Sequence, residues 1–517
     1  MTAIRPDTAT QLPRVVVAAG QEDARVAVIK VAAADLEAVT AELVRHPGGR
    51  LADLFAAGTD PVTLRSVWAL DHDQRYLITE TPVSGPRYPA LSDIAPAAFA
   101  EECEIYEQFG IRPAGDKPLN RVATPPQAGI DLPRLGHAPA EAPADVHAPH
   151  LVGGQAFEFP FGPVRQVAVE SLYYGLVTSG EELVDLYLFT WHKHRGVEWR
   201  TNGQTPQQAL FHIERTEGLG AIGNGWAFAA ALEEALGIAP DPAVLAGRVV
   251  ALELERLYNH AAAIAALCQA CGLAVGRAAA EIALEQFLRL NAATFGHRYL
   301  FNVLAVGGAR RGPDLTALAA DLPAAYAELQ GAADALLATN SFLDRLEATG
   351  TVTTGEASRL GLVGPVARAS GVSADARADH PVGPYGSLQP AVAGEAGGDA
   401  LARLRVMLAE AAESVRMIET ILGAADAGAM SEPVREPSLP LPGAAGRSGL
   451  GWAESARGES LAWVQVDASG RIERARIRPA AVRNWRGFDD ACRSQNVFTD
   501  VPIIEASFWL TVAGTAR

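Results

Sequence analysis

Residues 121–150 constrain the fold most strongly, because they divide the chain into two differently patterned regions. This stretch carries six prolines among alanine, histidine and glycine. Such a composition cannot bury a core and favours an extended linker. The sequence therefore predicts one domain over residues 14–120, a linker over 121–150 and a second domain over 151–517.

The first region alternates short apolar runs with helical stretches. Four runs predict strands, and they are RVVVAAG, ARVAVIKVA, SVWALDH and RYLITETPV. Helices are predicted near 35–45 and 95–109. This alternation is typical of a small domain that combines helices with a sheet.

The second region begins with strand-like runs over 152–189 and becomes helical over 207–346 and 399–422. Apolar residues recur at intervals of three and four residues over 245–273, which predicts a central bundle helix. The proline-rich stretch 432–443 predicts a loop, and 461–479 predicts a hairpin that turns at Ala-Ser-Gly. The predicted class is α+β: a small N-terminal α/β domain, a proline-rich linker, and a mostly α-helical domain with peripheral β-hairpins.

The net charge and the hydropathy of the chain limit its expected partners and its expected location. The net charge of −17 argues against a nucleic-acid partner bound through phosphate neutralisation. The longest uncharged apolar run, about 261–276, is shorter than the roughly 20 residues of a membrane-spanning helix. The N-terminus lacks the apolar segment of a secretory signal. We therefore expect a soluble, cytoplasmic chain without a membrane span of its own, still able to dock on a membrane complex.

The four cysteines are too few and too scattered for a disulfide framework. Cys268 and Cys271 form a CxxC pair, which could bind a metal or cycle between redox states. A tetrahedral site needs two more ligands, and the sequence has no second CxxC or CxH motif. The apolar surroundings favour a structural role for both thiols.

Glycines 218, 220 and 223 match the GxGxxG fingerprint of dinucleotide sites. That motif requires a preceding strand. The preceding residues, TPQQALFHIER, predict a helix instead, so no NAD site is expected here.

Two motifs combine charged side chains at short spacing. His194, Arg195 and Glu198 follow a strand, in an arrangement that suits either a solvated loop or a cation site. Glu255, Arg256 and His260 fall within about one helical turn, so we expect them to pair on one helix face. Taken alone, that second motif is a local ion pair.

Two further motifs are polar and rich in glycine or alanine. The stretch 364–381 carries Arg368, Asp375, Arg377 and Asp379, which alone would make a structural polar loop. The stretch 454–459, ESARGE, would pass for a surface turn with an ion pair.

In their order along the chain, these motifs resemble the large subunit of nickel-iron hydrogenases of the hydrogenase-3/4, formate-hydrogenlyase type, and the fused C/D subunit of respiratory complex I. The final residues DVPIIEASFWLTVAGTAR are similar to the family pattern D-x-P-x-I-x-x-S-L-D-P-C-x-x-C-x-x-R. The other matching motifs are H-R-G-x-E, R-x-C-G-x-C-G-x-x-H, E-x-E-R-L-x-x-H, the G-P-x-x-R-A-S-G loop and E-A-P-R-G-E. Residues 101–122 resemble the small α+β subunit of complex I.

The resemblance also locates where this chain departs from the family. The positions of the four nickel-binding cysteines hold Glu217, Gly220, Thr511 and Gly514. Glycine has no side chain to offer, and threonine is not a soft donor. The C-terminal extension that hydrogenase large subunits lose on maturation is also expected to be absent, since the sequence ends at Arg517. We expect no metal site and no hydrogen chemistry.

Complex I, which also lacks these cysteines, binds quinone in the corresponding cleft. Its hairpin histidine is missing from FGPVRQVAVES here, and its tyrosine position is Gly218. Quinone binding stays possible, with Tyr173 or Tyr174 as a source of a phenol.

The resemblance implies a subunit of a membrane-associated energy-converting oxidoreductase that couples electron transfer to proton movement or binds a quinone-like acceptor. Its candidate proton-relay residues are Glu217, His194, Arg195 and Glu198, and its candidate cofactor-binding residues are Arg368, Asp375, Arg377 and Asp379. We expect no cofactor in this chain and no activity in isolation. The alternative is a catalytically inactive assembly scaffold.

The same resemblance implies the surroundings of the chain. The expected partners are an iron–sulfur small subunit, which would carry the cluster, and antiporter-like membrane subunits. Any link to NADH would run through partner subunits. The expected location is the inner face of the cell membrane, reached through those subunits.

Overall fold

The computed structural model describes residues 13–18, 20–21, 24–58, 61–123, 156–165, 170–424, 445–493 and 495–517. The chain divides into two compact units, Met1–His147 with Arg359–Gly361, and Ala148–Ser358 with Leu362–Arg517. Most of the predicted linker, residues 124–150, and the predicted loop 432–443 lie outside the described residues.

The first unit is built from one mixed sheet and the helices packed on it. Its described helices and strands are α1 (Arg14–Ala18), β1 (Val26–Lys30), α2 (Leu36–Arg45), β2 (Gly49–Ala57), β3 (Val62–Leu70), β4 (Arg75–Val83), β5 (Arg87–Tyr88), α3 (Phe99–Phe109) and β6 (Arg112–Pro113). The sheet has the order β1-β4-β3-β2. Strand β1 runs parallel to β4, and the other pairs are antiparallel. This mixed arrangement confirms the predicted combination of helices and a sheet.

The core of this unit lies between the sheet and the apolar faces of its helices. Helix α2 buries Leu36, Val39 and Leu43, which follow helical spacing. Helix α3 also buries acidic side chains, among them Glu102 and Glu107. Glu102 accepts hydrogen bonds from the amides of residues 91 and 92, and Glu107 from those of residues 122 and 123. Buried carboxylates therefore hold the segments on either side of this helix.

Two expectations for this unit need correction. The run at residues 14–18 is a short helix rather than a strand, because four apolar residues are too few for periodicity to separate the two states. Strand β2 was missed, because alanines and the buried Asp53 lower its apparent strand propensity. Asp53 lies at an irregularity in the pairing of β2 with β3, where its carboxylate accepts a hydrogen bond from the amide of Leu54.

The second unit is mostly helical. Its described helices are α4 (Val197–Thr201), α5 (Pro206–Ile213), α6 (Ala221–Leu236), α7 (Pro242–Ala270), α8 (Ala274–Phe295), α9 (Leu315–Leu337), α10 (Asn340–Leu346), α11 (Thr354–Leu360), α12 (Gly364–Ala369), α13 (Ala376–Asp379), α14 (Tyr385–Leu388), α15 (Ala400–Ala424), α16 (Ala480–Arg493) and α17 (Val501–Phe508). Helix α7 confirms the predicted bundle helix. It packs on α8, α15 and α17, so it lies at the centre of the unit.

The strands of this unit form two antiparallel three-stranded sheets and a small ribbon. They are β7 (Ala156–Phe161), β8 (Tyr173–Ser179), β9 (Glu182–Phe189), β10 (Leu304–Ala305), β11 (Gly308–Ala309), β12 (Ser448–Ser455), β13 (Gly458–Val466) and β14 (Ile472–Arg478). The sheet orders are β7-β8-β9 and β12-β13-β14, and β10 pairs with β11. The predicted hairpin at 461–479 is confirmed as β13 and β14.

Strand β12 lies unusually close to helix α6. A β-carbon added at Gly451 would lie 2.1 Å from the carbonyl oxygen of Ala227, and one at Gly449 would lie 2.2 Å from that of Ala231. Only glycine allows the two backbones to approach this closely. This contact places the start of α6 next to the turn between β12 and β13.

The length and hydropathy of the helices bear on membrane insertion. Among the helices that the structure describes, none is long and apolar enough to cross a bilayer.

Candidate functional site

Glu217 is the centre of the candidate site. It lies in the connection between α5 and α6, where the residues that follow α17 pack beside it. The side chain is buried, with 4% exposure. Its Oε2 accepts a hydrogen bond from Asn224 Nδ2 at 3.0 Å, and its Oε1 accepts one from the hydroxyl of Thr511. The C-terminal segment thus completes the surroundings of this carboxylate.

Gly220 and Gly514, which the resemblance aligns with cysteines of the family pattern, border the same carboxylate. A β-carbon at Gly220 would lie 3.0 Å from Glu217 Oε2, and one at Gly514 would lie 2.8 Å from Glu217 Oε1. The structure therefore brings Glu217, Gly220, Thr511 and Gly514 together, although Glu217 and Thr511 are 294 residues apart in the sequence. The Glu217 carboxylate fills the space between the other three positions.

These residues do not fit a nickel-iron centre. Late transition metals of this kind are held by soft thiolate ligands, whereas this set offers one carboxylate and one hydroxyl. Within the described part of the chain, no group of three or more His, Cys, Asp or Glu side chains is arranged to hold a metal ion.

Two guanidinium groups border the site. Arg457, in the turn between β12 and β13, places Nη1 3.7 Å from Glu217 Oε2 and donates from Nε to the carbonyl of Trp509. Arg195 donates to the carbonyls of Arg215 at 3.2 Å and Ala513 at 2.8 Å, so it joins the two segments that flank Glu217. Burial lowers the pKa of Arg195, and the carboxylates of Glu170 and Glu217 partly oppose that change.

A second carboxylate, Glu255 of α7, faces the start of α6. It is fully buried and accepts hydrogen bonds from the amides of Ile222 at 2.7 Å and Gly223 at 2.9 Å. Burial raises the pKa of Glu255 to about 7, while the two amides and Arg457 oppose the increase and Glu217 adds to it. Glu255 and Glu217 are therefore electrostatic neighbours of one cation, Arg457.

The other two predicted relay residues precede the site in the sequence. Glu198 is buried, and its carboxylate accepts hydrogen bonds from Arg474 at 3.0 Å and Arg517 at 3.1 Å. Arg517 also donates to the carbonyl of Gly514 at 3.3 Å. Glu198 therefore holds the C-terminal segment in position. His194 is half-buried, with its ring near Gly196.

The predicted cofactor-binding residues belong to a second, larger cluster of buried charges. Its members are Glu253, Arg256, His260, Arg368, Asp375, Arg377, Glu410 and Glu454. Arg368 donates to Glu410 at 2.7 Å and to Glu454 at 2.9 Å. Arg377 makes a bidentate contact with Asp375 at 3.0 and 2.8 Å. Asp379 accepts a hydrogen bond from the amide of Asp375 at 2.8 Å.

The charges of this network determine its pKa values. Burial alone would raise the pKa of Glu253, but Arg256 and Arg377 outweigh it and hold the value at about 2. Arg368 and His260 likewise hold the pKa of Glu410 well below its usual range, against the effect of burial. Burial raises the pKa of Glu454, despite the nearby Arg368. Most of these carboxylates thus form ion pairs with guanidinium groups. The predicted cofactor-binding role of this cluster stays a prediction.

The turn between β12 and β13 connects the two clusters. Glu454 extends into the network, while Arg457, three residues on, borders Glu217. Arg256 donates to the carbonyls of Glu454 and Ser455, which fixes the turn against α7.

The expected pairing on α7 needs correction. Glu255, Arg256 and His260 do not form one ion-paired set in the described structure. Arg256 pairs with Glu253, and His260 bonds to Glu410 at 3.0 Å. Consecutive residues point about 100° apart on a helix, so Glu255 faces α6 while Arg256 faces the network. Spacing alone did not decide which partner each side chain would meet.

Three site residues were not assigned to the site from the sequence. Asn224, Glu255 and Arg457 lie in three motifs that are far apart in the sequence, and the spacing within each motif does not indicate that they meet. The available signal was the similarity of all three motifs to one family.

Cys268 lies in the last turn of α7, and Cys271 directly follows that helix. Burial raises the pKa of Cys268 to about 12 and that of Cys271 to about 11. Both thiols therefore remain protonated at neutral pH, which agrees with a structural role.

A separate cavity of about 510 Å³ lies between β7, β8 and the start of α17. Its aromatic wall includes Phe159, Phe161 and Phe498. Tyr174, also in its lining, donates its hydroxyl to Glu505, which makes a bidentate pair with Arg165 at 2.6 and 2.8 Å. Its volume is that of a pocket for a small organic molecule.

The fold and the site define a class: a small mixed-sheet unit joined in one chain to a helical unit that carries a buried carboxylate site centred on Glu217. Comparison with known families specifies that class. Residues 29–140 match the family described as respiratory-chain NADH dehydrogenase, 30 Kd subunit, and residues 281–446 match the 49 Kd subunit. The chain belongs to this family of complex I subunits and related hydrogenase subunits.

Individual relatives come from both branches of the family. Formate hydrogenlyase subunit 5 of Escherichia coli (strain K12) is 26% identical over 83% of this chain and 76% of its own length. The C/D subunit of NADH-quinone oxidoreductase from Phocaeicola vulgatus is 24% identical over 80% of this chain and 83% of its own length. The alpha subunit of the membrane-bound hydrogenase from Pyrococcus furiosus is 27% identical over 62% of this chain and 78% of its own length. The relatives are thus named as subunits of complex I-like and hydrogenase complexes.

Proposed function

We propose that this chain is a non-nickel subunit of a membrane-associated energy-converting oxidoreductase, in which Glu217 carries protons coupled to electron transfer. The observation that supports this most directly is the position of the Glu217 carboxylate, which borders the other three positions that the resemblance aligns with nickel-binding cysteines. A buried carboxylate beside Arg457 and Arg195 has the chemistry of a proton carrier rather than of a metal ligand set.

The surroundings of Glu217 combine two neutral hydrogen-bond donors with one nearby cation. The hydroxyl of Thr511 and the amide of Asn224 donate hydrogen bonds to its carboxylate. Arg457 adds a positive charge at 3.7 Å without forming a close ion pair.

The relay is tested by Glu217→Gln in the purified complex reconstituted into vesicles. Glutamine keeps the size of the side chain but carries no exchangeable acidic proton. We expect turnover-linked proton transport to be lost while the other subunits still co-purify in the same proportions. Glu281→Gln, on an exposed face of α8, is the control and should transport normally. Normal transport in Glu217→Gln would end the relay proposal and favour the alternative, an inactive assembly scaffold.

The absence of nickel is a separate part of the proposal. It rests on the residues themselves, because glycine at two former cysteine positions offers no ligand. Elemental analysis of the native complex should find no stoichiometric nickel. One nickel per chain would contradict this part.

The expected partners are an iron–sulfur small subunit and antiporter-like membrane subunits, with this chain held at the inner face of the membrane. The support is that the relatives are named as subunits of larger complexes, one of them membrane-bound. Mild-detergent extraction of a tagged chain tests the assembly. Recovery of the tagged chain alone would remove the respiratory interpretation.

The cavity beside Tyr174 favours a second candidate function, the binding of a quinone-like acceptor. Its aromatic wall suits a planar ring, and its polar end offers Arg165 and Tyr174. Tyr173, the next residue of β8, provides a matched control because its hydroxyl donates to Glu158 instead. Tyr174→Phe should weaken binding of a short-chain benzoquinone, while Tyr173→Phe should not. Equal affinities in both variants would refute this candidate.

A further inference from the structure

The cavity between β7, β8 and the start of α17 is lined by two arginine side chains, which lie at different places in its wall. Arg165 pairs with Glu505 in the second turn of α17. Arg345 pairs with Asp500, which directly precedes that helix. Five residues of a helix rise by about 7.5 Å, so the two pairs are separated along α17. A ligand in the cavity can therefore meet two distinct polar groups.

The charge of Arg165 is already balanced. Its guanidinium makes the bidentate contact with Glu505, at 2.6 and 2.8 Å, and lies over the rings of Phe161 and Tyr174. Both members of this ion pair are largely buried, and the hydroxyl of Tyr174 donates to the same carboxylate. This pair therefore contributes no net charge to the cavity.

Arg345 is less fully paired. Its Nη2 lies 3.7 Å from Asp500 Oδ1, which is beyond hydrogen-bond distance. The other oxygen of Asp500, Oδ2, accepts a hydrogen bond from the amide of Val497 at 3.1 Å. Among the residues that the structure describes, no acceptor bonds to the guanidinium of Arg345, whose side chain is 42% exposed. Its donors are therefore available to an acidic group in the cavity.

Two rings of the cavity wall provide an apolar surface. Phe159 of β7 and Phe498 lie with their ring centroids 6.4 Å apart, and both side chains are exposed in spite of their size. Covering an exposed aromatic face with a second planar ring removes apolar surface from water. The cavity thus combines an uncovered aromatic wall with one cation whose donors are free to bind.

We propose that the cavity binds an aromatic anion, whose acidic group pairs with Arg345 while its ring covers Phe159 and Phe498. This inference rests on the second candidate function, the binding of a quinone-like ring, and adds the charge of the ligand. A guanidinium group offers paired N–H donors that match the oxygens of an acidic group. Binding is association alone, and no covalent bond forms or breaks. Arg345 thus selects rings that carry an acidic substituent.

Isothermal titration calorimetry of the full chain with two matched probes tests this inference. Anthraquinone-2-sulfonate is an anion, and 2-(hydroxymethyl)anthraquinone has the same rings without the charge. Neither has a free quinone carbon, so neither alkylates the thiol of Cys271 in the cavity wall. The chain as a whole carries a net charge of −17, which disfavours anions, so tighter binding of the sulfonate requires a local cation.

We expect the sulfonate to bind more tightly than the neutral probe. Arg345→Met should weaken binding of the sulfonate by about fivefold to tenfold and leave the neutral probe unchanged, because a partly exposed charge contact is lost. Arg277→Met is the matched control, since the side chain of Arg277 is 43% exposed, pairs with Glu281 on α8 and does not line the cavity. It should change neither affinity.

Equal affinity for the two probes in the unmodified protein, or a preference that survives in Arg345→Met, would overturn the inference and leave ring binding intact. Should Arg345→Met fail to fold, Arg345→Gln removes the same charge and takes its place. Absence of binding by both probes would remove the second candidate function itself, and the inference with it.

Discussion

Replacing Arg368 by methionine tests whether the buried charge network stabilises the fold. Arg368 is fully buried and donates to Glu410, to Glu454 and to the carbonyl of Ala374. Methionine fills a similar volume, so the cavity contribution is small. The variant would leave Glu410 and Glu454 buried without their shared cation.

The magnitude follows from the burial of both partners. Removing one member of a buried ion pair typically costs about 3–5 kcal/mol, because the remaining charge is desolvated and unpaired. We expect the free energy of unfolding to fall by that amount at pH 8. Arg277→Met is the matched control, because Arg277 pairs with Glu281 on an exposed helix face. Pairs of that kind contribute about 0.3–0.5 kcal/mol.

The deficit should also depend on pH. In the unmodified protein the pKa of Glu410 is lowered in the folded state, so the stability it contributes is present above its unfolded value and is lost on acidification. Without Arg368, the pKa values of Glu410 and Glu454 rise in the folded state. Acidification then protonates both carboxylates, which reduces the variant's loss of unfolding free energy. The difference between the two proteins should therefore shrink from pH 8 to pH 5.

Urea unfolding followed by circular dichroism, with a check that the slope against urea is unchanged, measures the effect. A deficit below about 1 kcal/mol at pH 8 would refute the reasoning, because it would show that the network does not need its central cation. So would a deficit that stays constant between pH 8 and pH 5.

Three other predictions follow from close contacts and thiol chemistry. Gly514→Ala should destabilise the protein by about 1–3 kcal/mol, and less in a Glu217→Ala background, since its β-carbon would meet Glu217 Oε1 at 2.8 Å; additive effects in a double-mutant cycle would contradict this. Gly451→Ala should lower the melting temperature more than Gly423→Ala, whose β-carbon would meet nothing within 4 Å. Cys268 and Cys271 should react slowly with iodoacetamide at pH 7 and faster above pH 10, because their pKa values are raised to about 12 and 11; rapid labelling at pH 7 would show a thiolate.

The features that the sequence predicted best were those with strong local signals. Helix α7 has apolar residues at helical spacing along its length, and its predicted position is confirmed. The similarity of the C-terminal residues to one family pattern correctly grouped Thr511 and Gly514 with Glu217. A contact across 294 residues is not available from periodicity or propensity.

Other features depended on tertiary contacts that no local pattern encodes. Strand β12 has the sequence SGLGWAES, whose glycines argue against a strand. Those glycines are required because the strand packs against the backbone of α6. The direction of Glu255 was equally hidden, since only the packing of α6 on α7 determines that it meets amides rather than Arg256.

The close contact of β12 with α6 has a consequence for motion. Helix α6 begins beside Glu217, and β12 ends at the turn that carries Arg457. Because the two backbones touch at Gly449 and Gly451, main-chain packing fixes the separation of the two segments that carry the carboxylate and the guanidinium. Moving these charges apart by a main-chain displacement requires the helix to slide along the sheet. Such shear is a collective event on the microsecond to millisecond timescale, far slower than the reorientation of a side chain.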